Sequence, residues 1–356
     1  MAKMKNRNMI KLETRWCSVL LVVVLSLGCV NVWGQDHVKF TLLKVDSVPA
    51  IKAIENMQIV GNRFCITYEE PKRWGSQLLR TYVVDETSQS LKFEHEYFRN
   101  PATGNGIDYP VLFQGNLGNV FVMDRTYPLV YQIDLGKHVM QNTHKFVFST
   151  KSKVPYGMAL SVPFAYRKSD MEFCFVGRQP KGIQAVYRSV LDSASTRVEE
   201  IEPLVYIKKY PAWTTNFGKQ TFNRQLNVLA HGFYLYPAIQ YVNLDTKQSY
   251  TVKIAEPNWK RLKPLAADVW DKNLMQIKDI TSTNTCVYAL WWNKSQQNMT
   301  ALRKQRKAEC KLVVLDWNGS IKRIYRIPRY LSNVVALVDG KLIGSDGKKF
   351  WLITLF

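Results

Sequence analysis

The sequence predicts an all-β protein built as a six-bladed β-propeller. One pattern recurs along the chain: an apolar strand that ends in aspartate and is followed by a polar turn. It occurs at Tyr82–Asp85, Tyr131–Asp134, Ser189–Asp192, Tyr241–Asp245 and Leu312–Asp316. The aspartates lie 49, 58, 53 and 71 residues apart, and each interval has room for one four-stranded sheet. No segment shows helical periodicity over several turns.

Short turns between apolar strands support the count of six. Gly, Asn and Asp supply the positive φ that tight hairpins need. The turns predicted between the first and second strands of each sheet are Gly61-Asn62, Gly115–Asn119, Lys168–Asp170, His231-Gly232, Thr283-Asn284 and Asp339-Gly340. Asn318-Gly319 fits a turn between a third and a fourth strand.

The last sheet contains only three strands of its own. They are predicted at Val334–Val338, Lys341–Ser345 and Lys349–Leu355. We expect Val38–Val45 to supply the fourth strand and so to close the ring, which would cover edges that an open sheet exposes. No linker of Pro, Gly or Ser divides residues 35–356, so we expect a single propeller domain there.

Residues 1–34 have the composition of an export signal. A basic segment precedes the apolar run Cys17–Leu27, which is too short to span a bilayer. Two interpretations stay open. Cleavage after Gly34 would release a chain that begins at Gln35, whereas Leu25–Cys29 is similar to a lipobox with Cys29 as the lipidated residue. Either way, the predicted location is the periplasm, the cell surface or the medium, with no transmembrane span.

The positive charge is concentrated on one predicted face. Removing residues 1–34, which carry five Lys or Arg and one Glu, lowers the formal net charge from +21 to +17. Connections that leave the same face of the disc carry a net +13, and they are 70–77, 98–110, 150–157, 206–224, 255–275 and 293–311. Their cationic and aromatic candidates for ligand binding are Trp74, Tyr156, Lys208, Lys209, Trp213, Trp259, Lys260, Arg261, Arg303, Lys304, Arg306 and Lys307. Cations and aromatic planes suit an anionic polymer, although solvated lysines and packing aromatics would give the same pattern.

The densest basic run is Leu302–Lys311. It could bind a polyanion or the acidic surface of another protein. It could equally be a solvated hairpin loop, with one helical turn from Met299 to Arg306. An unstructured insertion of this length is unusual in a compact domain, so this loop is the first place to look for function.

Signatures of catalysis and metal binding are absent from the sequence. The five histidines show no metal-ligand spacing, and no nucleophile elbow or phosphate-binding loop occurs. The repeated aspartates belong to different sheets, so we interpret them as turn residues that bond backbone amides. We therefore predict no cofactor and no metal, and whether the protein is an enzyme stays open.

Four cysteines remain in the mature chain: Cys65, Cys174, Cys286 and Cys310. They allow three disulfide pairings. Cys286 and Cys310 lie on strands that we expect to be neighbours, which favours that pair in an oxidising compartment.

Two C-terminal segments carry a family resemblance. Cys310–Arg323, which reads as an apolar strand, Asp316 and a turn, and Leu337–Gly344 resemble the last sheets of TolB-like six-bladed propellers. Such propellers are exported proteins and lipoproteins of Bacteroidetes. The resemblance extends over residues 38–356. It implies the fold and the cell envelope, and it implies no activity.

Three functional hypotheses follow. The first is a monomeric, non-enzymatic binding or scaffold propeller whose basic aromatic face binds an anionic polysaccharide or an acidic protein. The second is a polysaccharide-acting hydrolase or lyase that uses the same face. The third is a component of a multi-protein surface assembly.

Overall fold

Strands dominate the computed structural model, which describes residues 37–69, 76–97, 107–108, 111–114, 120–124, 129–145, 165–166, 172–178, 184–191, 196–205, 216–256 and 269–356. Within these ranges the chain forms 26 strands and two helices. Residues 38–356 make one compact unit.

The strands are short and almost all antiparallel to their neighbours. In chain order they are β1 (Val38–Leu42), β2 (Lys44–Val45), β3 (Ala53–Val60), β4 (Arg63–Glu69), β5 (Ser76–Asp85), β6 (Ser90–Tyr97), β7 (Ile107–Asp108), β8 (Val111–Gln114), β9 (Val120–Asp124), β10 (Leu129–Asp134), β11 (Val139–Lys145), β12 (Ala165–Tyr166), β13 (Glu172–Arg178), β14 (Gln184–Leu191), β15 (Thr196–Pro203), β16 (Gly218–Asn223), β17 (Val228–Phe233), β18 (Ala238–Asn243), β19 (Ser249–Lys253), β20 (Met275–Ser282), β21 (Cys286–Lys294), β22 (Cys310–Asp316), β23 (Ile321–Ile327), β24 (Asn333–Ala336), β25 (Leu342–Ser345) and β26 (Phe350–Leu355). The helices are α1 (Val269–Lys272) and α2 (Gln296–Lys304).

These strands group into six sheets. Sheet 1 contains β2 to β7, sheet 2 β8 to β11, sheet 3 β12 to β15, sheet 4 β16 to β19, sheet 5 β20 to β23, and sheet 6 β24 to β26 together with β1. β3, β8, β16, β20 and β24 are edge strands of sheets 1, 2, 4, 5 and 6, and we call them the innermost strands. They contact one another from sheet to sheet, β16 with β20, β20 with β24, β24 with β3, and β3 with β8.

The hydrophobic core lies between the faces of successive sheets. Tyr241 of sheet 4 packs in one cluster with Ile280 and Trp317 of sheet 5. The rings of Phe64 in sheet 1 and Phe350 in sheet 6 meet edge to face, with centroids 5.4 Å apart. Sheets packed face to face, with their innermost strands in contact, form a β-propeller. The predicted all-β propeller is confirmed.

The first strand of the described chain pairs with the last. β1 runs antiparallel to β26, with Val38 opposite Leu355 and Leu42 opposite Trp351. The segment that we predicted as one strand is divided at Leu43, whose N–H donates to the Phe350 carbonyl over 3.0 Å. β2 then pairs in parallel with β6, so the segment contacts both sheet 6 and sheet 1.

A buried ion pair holds the connection that follows β2. The Arg80 guanidinium on β5 bonds the Glu96 carboxylate on β6 and the carbonyl of Ser47. Tyr68 donates its hydroxyl to the same carboxylate over 2.9 Å. Both charged side chains are about nine-tenths buried, so removing either partner would leave an uncompensated charge inside the protein.

The repeated aspartates act as turn residues in three of the five positions. Asp85 accepts a hydrogen bond from the Ser88 amide, Asp134 from two amides that follow it, and Asp316 from the Asn318 and Ser320 amides. In the fourth repeat the prediction placed this role two residues too late. There the side chain of Asn243 accepts hydrogen bonds from the Asp245 and Thr246 amides. Asp192 lies outside the described residues.

Most predicted turns in the described ranges are present. Gly61, Gly319 and Gly340 have φ of +62°, +83° and +86°, the left-handed region that favours glycine. Thr283-Asn284 lies between β20 and β21 as expected. The stretches 115–119 and 168–170 lie outside the described residues.

The predicted turn at His231-Gly232 is wrong. Both residues lie inside β17, where every side chain is buried, and the turn is at 224–227. Glycine is needed here for close approach, because a Cβ at Gly232 would lie 2.7 Å from Ile277 of the neighbouring sheet. The prediction mistook a packing glycine for a turn glycine.

The favoured disulfide is also wrong. Cys286 lies opposite Asp316, whereas Cys310 lies at the far end of β22 beside the Lys311–Trp291 pair. The two cysteines are on neighbouring strands but at opposite ends of them. None of the four cysteines within the described ranges is in a disulfide.

Neither helix in the described part of the chain is long and apolar enough to cross a membrane. The segment Cys17–Leu27 lies outside the described residues.

We expect a disulfide to form between β1 and β26 in the double variant Val38→Cys, Leu355→Cys. The two residues are register partners. The Leu43 and Phe350 pair is hydrogen-bonded and such pairs alternate along the strands, so Val38 and Leu355 form a non-hydrogen-bonded pair, with Cα atoms about 4.5 Å apart and side chains close enough for a disulfide. Non-reducing electrophoresis and mass spectrometry would detect the bond, and a reductant should reverse the accompanying rise in the urea midpoint. Each single variant is the control. An oxidised double variant without the cross-link would contradict the pairing of these strands.

Candidate functional site

Two sets of connections leave the same face of the propeller, which we call the loop face. They join second to third strands within a sheet and fourth strands to the next sheet. Described connections on this face include 234–237, the segment 295–309 that contains α2, 328–332 and 346–349. The first and the last two of these were not among the six predicted loops. Conversely, the predicted loop 206–224 contains β16, so Lys219 lies in an edge strand.

Most of the predicted binding residues cannot be located. Outside the described residues lie Trp74, Tyr156, Lys208, Lys209, Trp213, Trp259, Lys260, Arg261 and the predicted lipidation site Cys29. Arg303, Lys304, Arg306 and Lys307 are described, and they lie at the C-terminal end of α2 or just after it.

The first three residues of the basic run, Leu302 to Lys304, end a capped helix, and the run continues as an exposed loop, as the solvated-loop interpretation expected. Ser295 is the N-cap, and its hydroxyl accepts a hydrogen bond from the Asn298 amide over 3.2 Å. Met299 is fully buried and Leu302 packs against the core between sheets 5 and 6. Only one side of α2 packs against the core, because Met299 and Leu302 are apolar residues three positions apart and so lie on the same side of the helix.

Arg303 is engaged in contacts within the protein. Its guanidinium lies 4.6 Å from the centroid of the Tyr330 ring and 3.8 Å from the Asp346 carboxylate. These contacts hold α2 against the connections 328–332 and 346–349. We therefore assign Arg303 a structural role and separate it from the other three cations.

Lys304, Arg306 and Lys307 form an exposed cluster that we call the α2 patch. None of them has an ion pair with the described residues. Arg306 has φ of +59°, and it occupies the position after the helix where glycine is usual. Its amide donates to the Arg303 carbonyl, and the Lys307 amide donates to the Leu302 carbonyl. A β-carbon in the left-handed region costs about 1 kcal/mol, so Arg306 is present despite a conformational cost.

Two further lysines extend this surface and were missed by the sequence analysis. Lys348 and Lys349 are exposed, and their amides bond the Asp346 side chain that contacts Arg303. The turn signal Asp346-Gly347 could have placed them on the loop face. The structure thus brings five exposed cations onto neighbouring connections.

A second group of charges lies at the propeller axis. The Lys219 ammonium on β16 donates to the Glu55 carbonyl on β3 over 2.8 Å and lies 3.9 Å from the Asp279 carboxylate on β20. The Lys278 ammonium lies 5.2 Å from the Trp292 ring centroid. Burial lowers the pKa of Lys278, and the nearby charge of Lys219 lowers it further. Burial raises the pKa of Asp279, and the charge of Lys219 opposes that rise. Ionisable side chains therefore do converge at the axis.

Lys219 and Asp279 border a cavity of about 150 Å³. The described part of its wall comes mainly from β3, β16, β20 and β24, the edge strands of four sheets, and it also includes Arg224, just after β16, and Leu229 on β17. Asn56, Gln58, Lys219, Gln220 and Asp279 are among its polar residues, and Phe222 is the aromatic residue in the described part of the wall.

A buried histidine supports the β16 side of this cavity. His231 Nε2 donates to the Asn216 carbonyl over 2.9 Å, and His231 Nδ1 accepts from Gln220 Nε2 over 2.6 Å. Burial lowers the pKa of His231 to about 3, so the ring is neutral at physiological pH. The neutral ring fixes the orientation of the Gln220 amide.

Among the described side chains, no three His, Cys, Asp or Glu residues come together as a metal site would require. The Lys219–Asp279 contact is not by itself a catalytic arrangement, and the enzyme hypothesis stays a prediction.

Comparison with known proteins shows the fold. No family model matches the chain, and no curated protein matches it. A solved member of the DUF4221 family from Bacteroides vulgatus is 12% identical with a TM-score of 0.57, covering 90% of this chain and 99% of the other. A proposed exported protein from Bacteroides fragilis is 12% identical with a TM-score of 0.50, covering 92% of this chain and 97% of the other.

We expect the stability of the protein to fall on acidification partly through His231. The unfolded chain protonates this ring near pH 6.5 and the folded chain not until about pH 3, so acid favours the unfolded state between those values. Between pH 7 and pH 4.5 the contribution is about 2.5 kcal/mol. The free energy of unfolding, measured with urea at both pH values, should fall on acidification in the wild type and in His231→Asn. The fall in His231→Asn should be smaller than that in the wild type by about this amount.

His37→Asn is the control, since His37 lies at the exposed beginning of the described chain. Other groups, including Asp279, titrate in all three proteins and cancel in the comparison. Equal acid losses in the wild type and in His231→Asn would contradict the buried neutral ring.

Proposed function

We propose that this protein is a non-enzymatic binding propeller whose loop face holds an anionic polysaccharide. The observation that carries the proposal is the α2 patch. Its three cations are exposed on a rigid, capped helix end and have no carboxylate partner among the described residues. Lys348 and Lys349 extend it on the adjoining connection.

The conformation of Arg306 supports a ligand-binding role for the patch. Glycine would relieve the left-handed backbone at this position, and a long cationic side chain occupies it instead. Arg303 shows the contrasting case, because its charge is matched by Asp346 and Tyr330 within the protein.

The composition of the patch favours a polymer over an acidic protein. Protein interfaces generally contain buried aromatic or aliphatic anchors. In the described part of 295–309, 328–332 and 346–349 no large hydrophobic side chain is exposed. A cationic surface without such an anchor binds by charge, which suits a flexible polyanion.

We propose further that the six sheets are six blades of one ring, closed where β1 joins sheet 6. Two features support this. β1 pairs with β26, and the fourth strand of sheet 3 contacts sheet 4 through hydrogen bonds such as Ser249 to Glu202 over 2.8 Å. The C-terminal resemblance to TolB-like propellers supports the same count, and we propose that the protein acts as a monomer.

We propose an exported location, with residues 1–34 as the signal and residues 35–356 as the domain. The basic segment followed by a short apolar run supports it. The similar propeller from Bacteroides fragilis, with its proposed export, agrees.

The triple variant Lys304→Gln, Arg306→Gln, Lys307→Gln should bind dextran sulfate about tenfold more weakly than the wild type at low salt, because it loses three contacts with the polymer charge. The slope of log affinity against log salt should also fall by about two to three. Fluorescence anisotropy with labelled polymer, measured across a salt series, checks both quantities.

The matched control is Lys137→Gln, Lys247→Gln, Lys322→Gln, which removes the same charge from the opposite face. It should bind like the wild type. Equal weakening in the two triple variants would mean that net charge, not the patch, drives binding. Preference for poly-L-glutamate over dextran sulfate would favour an acidic protein as the partner.

We expect the mature protein recovered from an expressing bacterium to lack its N-terminal export signal, which is residues 1–34 for cleavage after Gly34 and residues 1–28 for cleavage before Cys29. Mass spectrometry of the purified protein should find an N-terminus at Gln35, or a diacylglyceryl group on Cys29 if the lipobox is used. An intact N-terminus at Met1 in a cytoplasmic fraction would rule out export.

A further inference from the structure

The axial cavity presents more hydrogen-bonding groups than the protein itself uses. Asn56 and Gln58 on β3 line it with half-buried amide side chains that have no hydrogen bond to described residues. The Gln220 Oε1 atom is buried and also lacks a donor there. A buried amide oxygen without a donor, such as that of Gln220, is rare in folded proteins and needs an explanation.

The orientation of Gln220 is set by its neighbour. His231 Nε2 faces a carbonyl and must carry the proton, so Nδ1 is an acceptor and Gln220 must offer its NH₂ group to it. The oxygen of Gln220 is then the end of the amide that has no donor among the described residues.

Three charged side chains line the described part of the cavity wall: Lys219, Asp279 and Arg224, and Arg224 has an interaction partner of its own. Lys219 uses one ammonium proton on the Glu55 carbonyl, and its ammonium lies 3.9 Å from the Asp279 carboxylate. Asp279 accepts from the Val334 amide over 2.9 Å. Donors on Lys219 and the amides therefore stand beside acceptors on Asp279 and the amides.

A wall of this kind matches hydroxyl groups, since each hydroxyl both donates and accepts. Phe222, which is half-buried and lines the cavity, offers an apolar surface for the C–H groups of such a ligand. At about 30 Å³ for each water-sized group, 150 Å³ holds roughly five such groups, so a pentose or hexose would place about half of its heavy atoms in the cavity.

We propose that the axial cavity binds a small neutral polyol of monosaccharide size, held by Asn56, Gln58, Gln220 and the Lys219–Asp279 pair. This site is separate from the α2 patch and does not depend on the proposed polysaccharide binding.

Saturation-transfer NMR on the full mature chain tests the proposal, with D-glucose, D-galactose, D-xylose and N-acetyl-D-glucosamine as probes and D-glucuronate as the charged comparison. We expect at least one neutral sugar to bind with a Kd on the order of 1 mM or tighter. Asn56→Leu, Gln58→Leu should weaken it about tenfold or more, and this variant gives up no hydrogen bond among the described residues, so the fold should persist. Asp279→Asn should also weaken binding.

The α2 patch variant Lys304→Gln, Arg306→Gln, Lys307→Gln is the control and should bind the sugar like the wild type. That result would stand even if the patch failed to bind dextran sulfate. Three outcomes would overturn the proposal: no signal from any neutral sugar at roughly 20 mM, twentyfold above the expected Kd; undiminished binding in the folded Asn56→Leu, Gln58→Leu variant; or binding of D-glucuronate alone. The first means that the cavity holds water, and the last that it selects an anion.

Discussion

The free edge of each innermost strand is the constraint on which the rest of the propeller depends. Such a strand has a partner on one side only, and its remaining N–H and C=O groups point where no further strand can pair with them. Side chains from neighbouring sheets supply the missing partners. Asp279 and Thr281 on β20 accept from the Val334 and Ala336 amides on β24, and Lys219 donates to a carbonyl of β3. Polar residues at the axis are therefore required by the fold before any ligand is considered.

This requirement explains why a buried carboxylate and a buried ammonium occur together in an otherwise apolar core. Asp279 alone would be costly to bury, and two backbone amides and the charge of Lys219 offset that cost. Thr281 shows that a neutral side chain can do the same bonding. A neutral residue would therefore be enough to bond the edge amides, yet a charged pair is present. The side-chain amides of Asn56 and Gln58 and the Gln220 Oε1 atom have no hydrogen bond to the described chain. That excess, rather than the presence of polarity, marks the axis as a place for a ligand.

Periodic features were predictable from the sequence because they depend on local chemistry. An aspartate or asparagine that ends a strand bonds the next amides whatever the sheet packs against, and Gly61, Gly319 and Gly340 have the backbone that their turns need. His231-Gly232 was misassigned because Gly232 is needed for close packing against Ile277, a residue 45 positions away in the sequence. The same limit applies to Cys286 and Cys310: neighbouring strands were inferable, but the register that separates the two thiols depends on where the intervening helix returns the chain.

The candidate sites show a similar division. Counting charges identified the run around α2, yet it could not tell which cations the protein uses internally. Arg303 and Lys304 are adjacent in sequence and both are exposed. Arg303 contacts Tyr330 and Asp346 while Lys304 has no ion pair with the described residues, because successive helical positions point about 100° apart. Lys219 was counted as a loop charge and instead bridges two sheets. Net charge predicts attraction over a distance, but binding depends on the charges left unpaired after folding, and only the packed chain determines which those are.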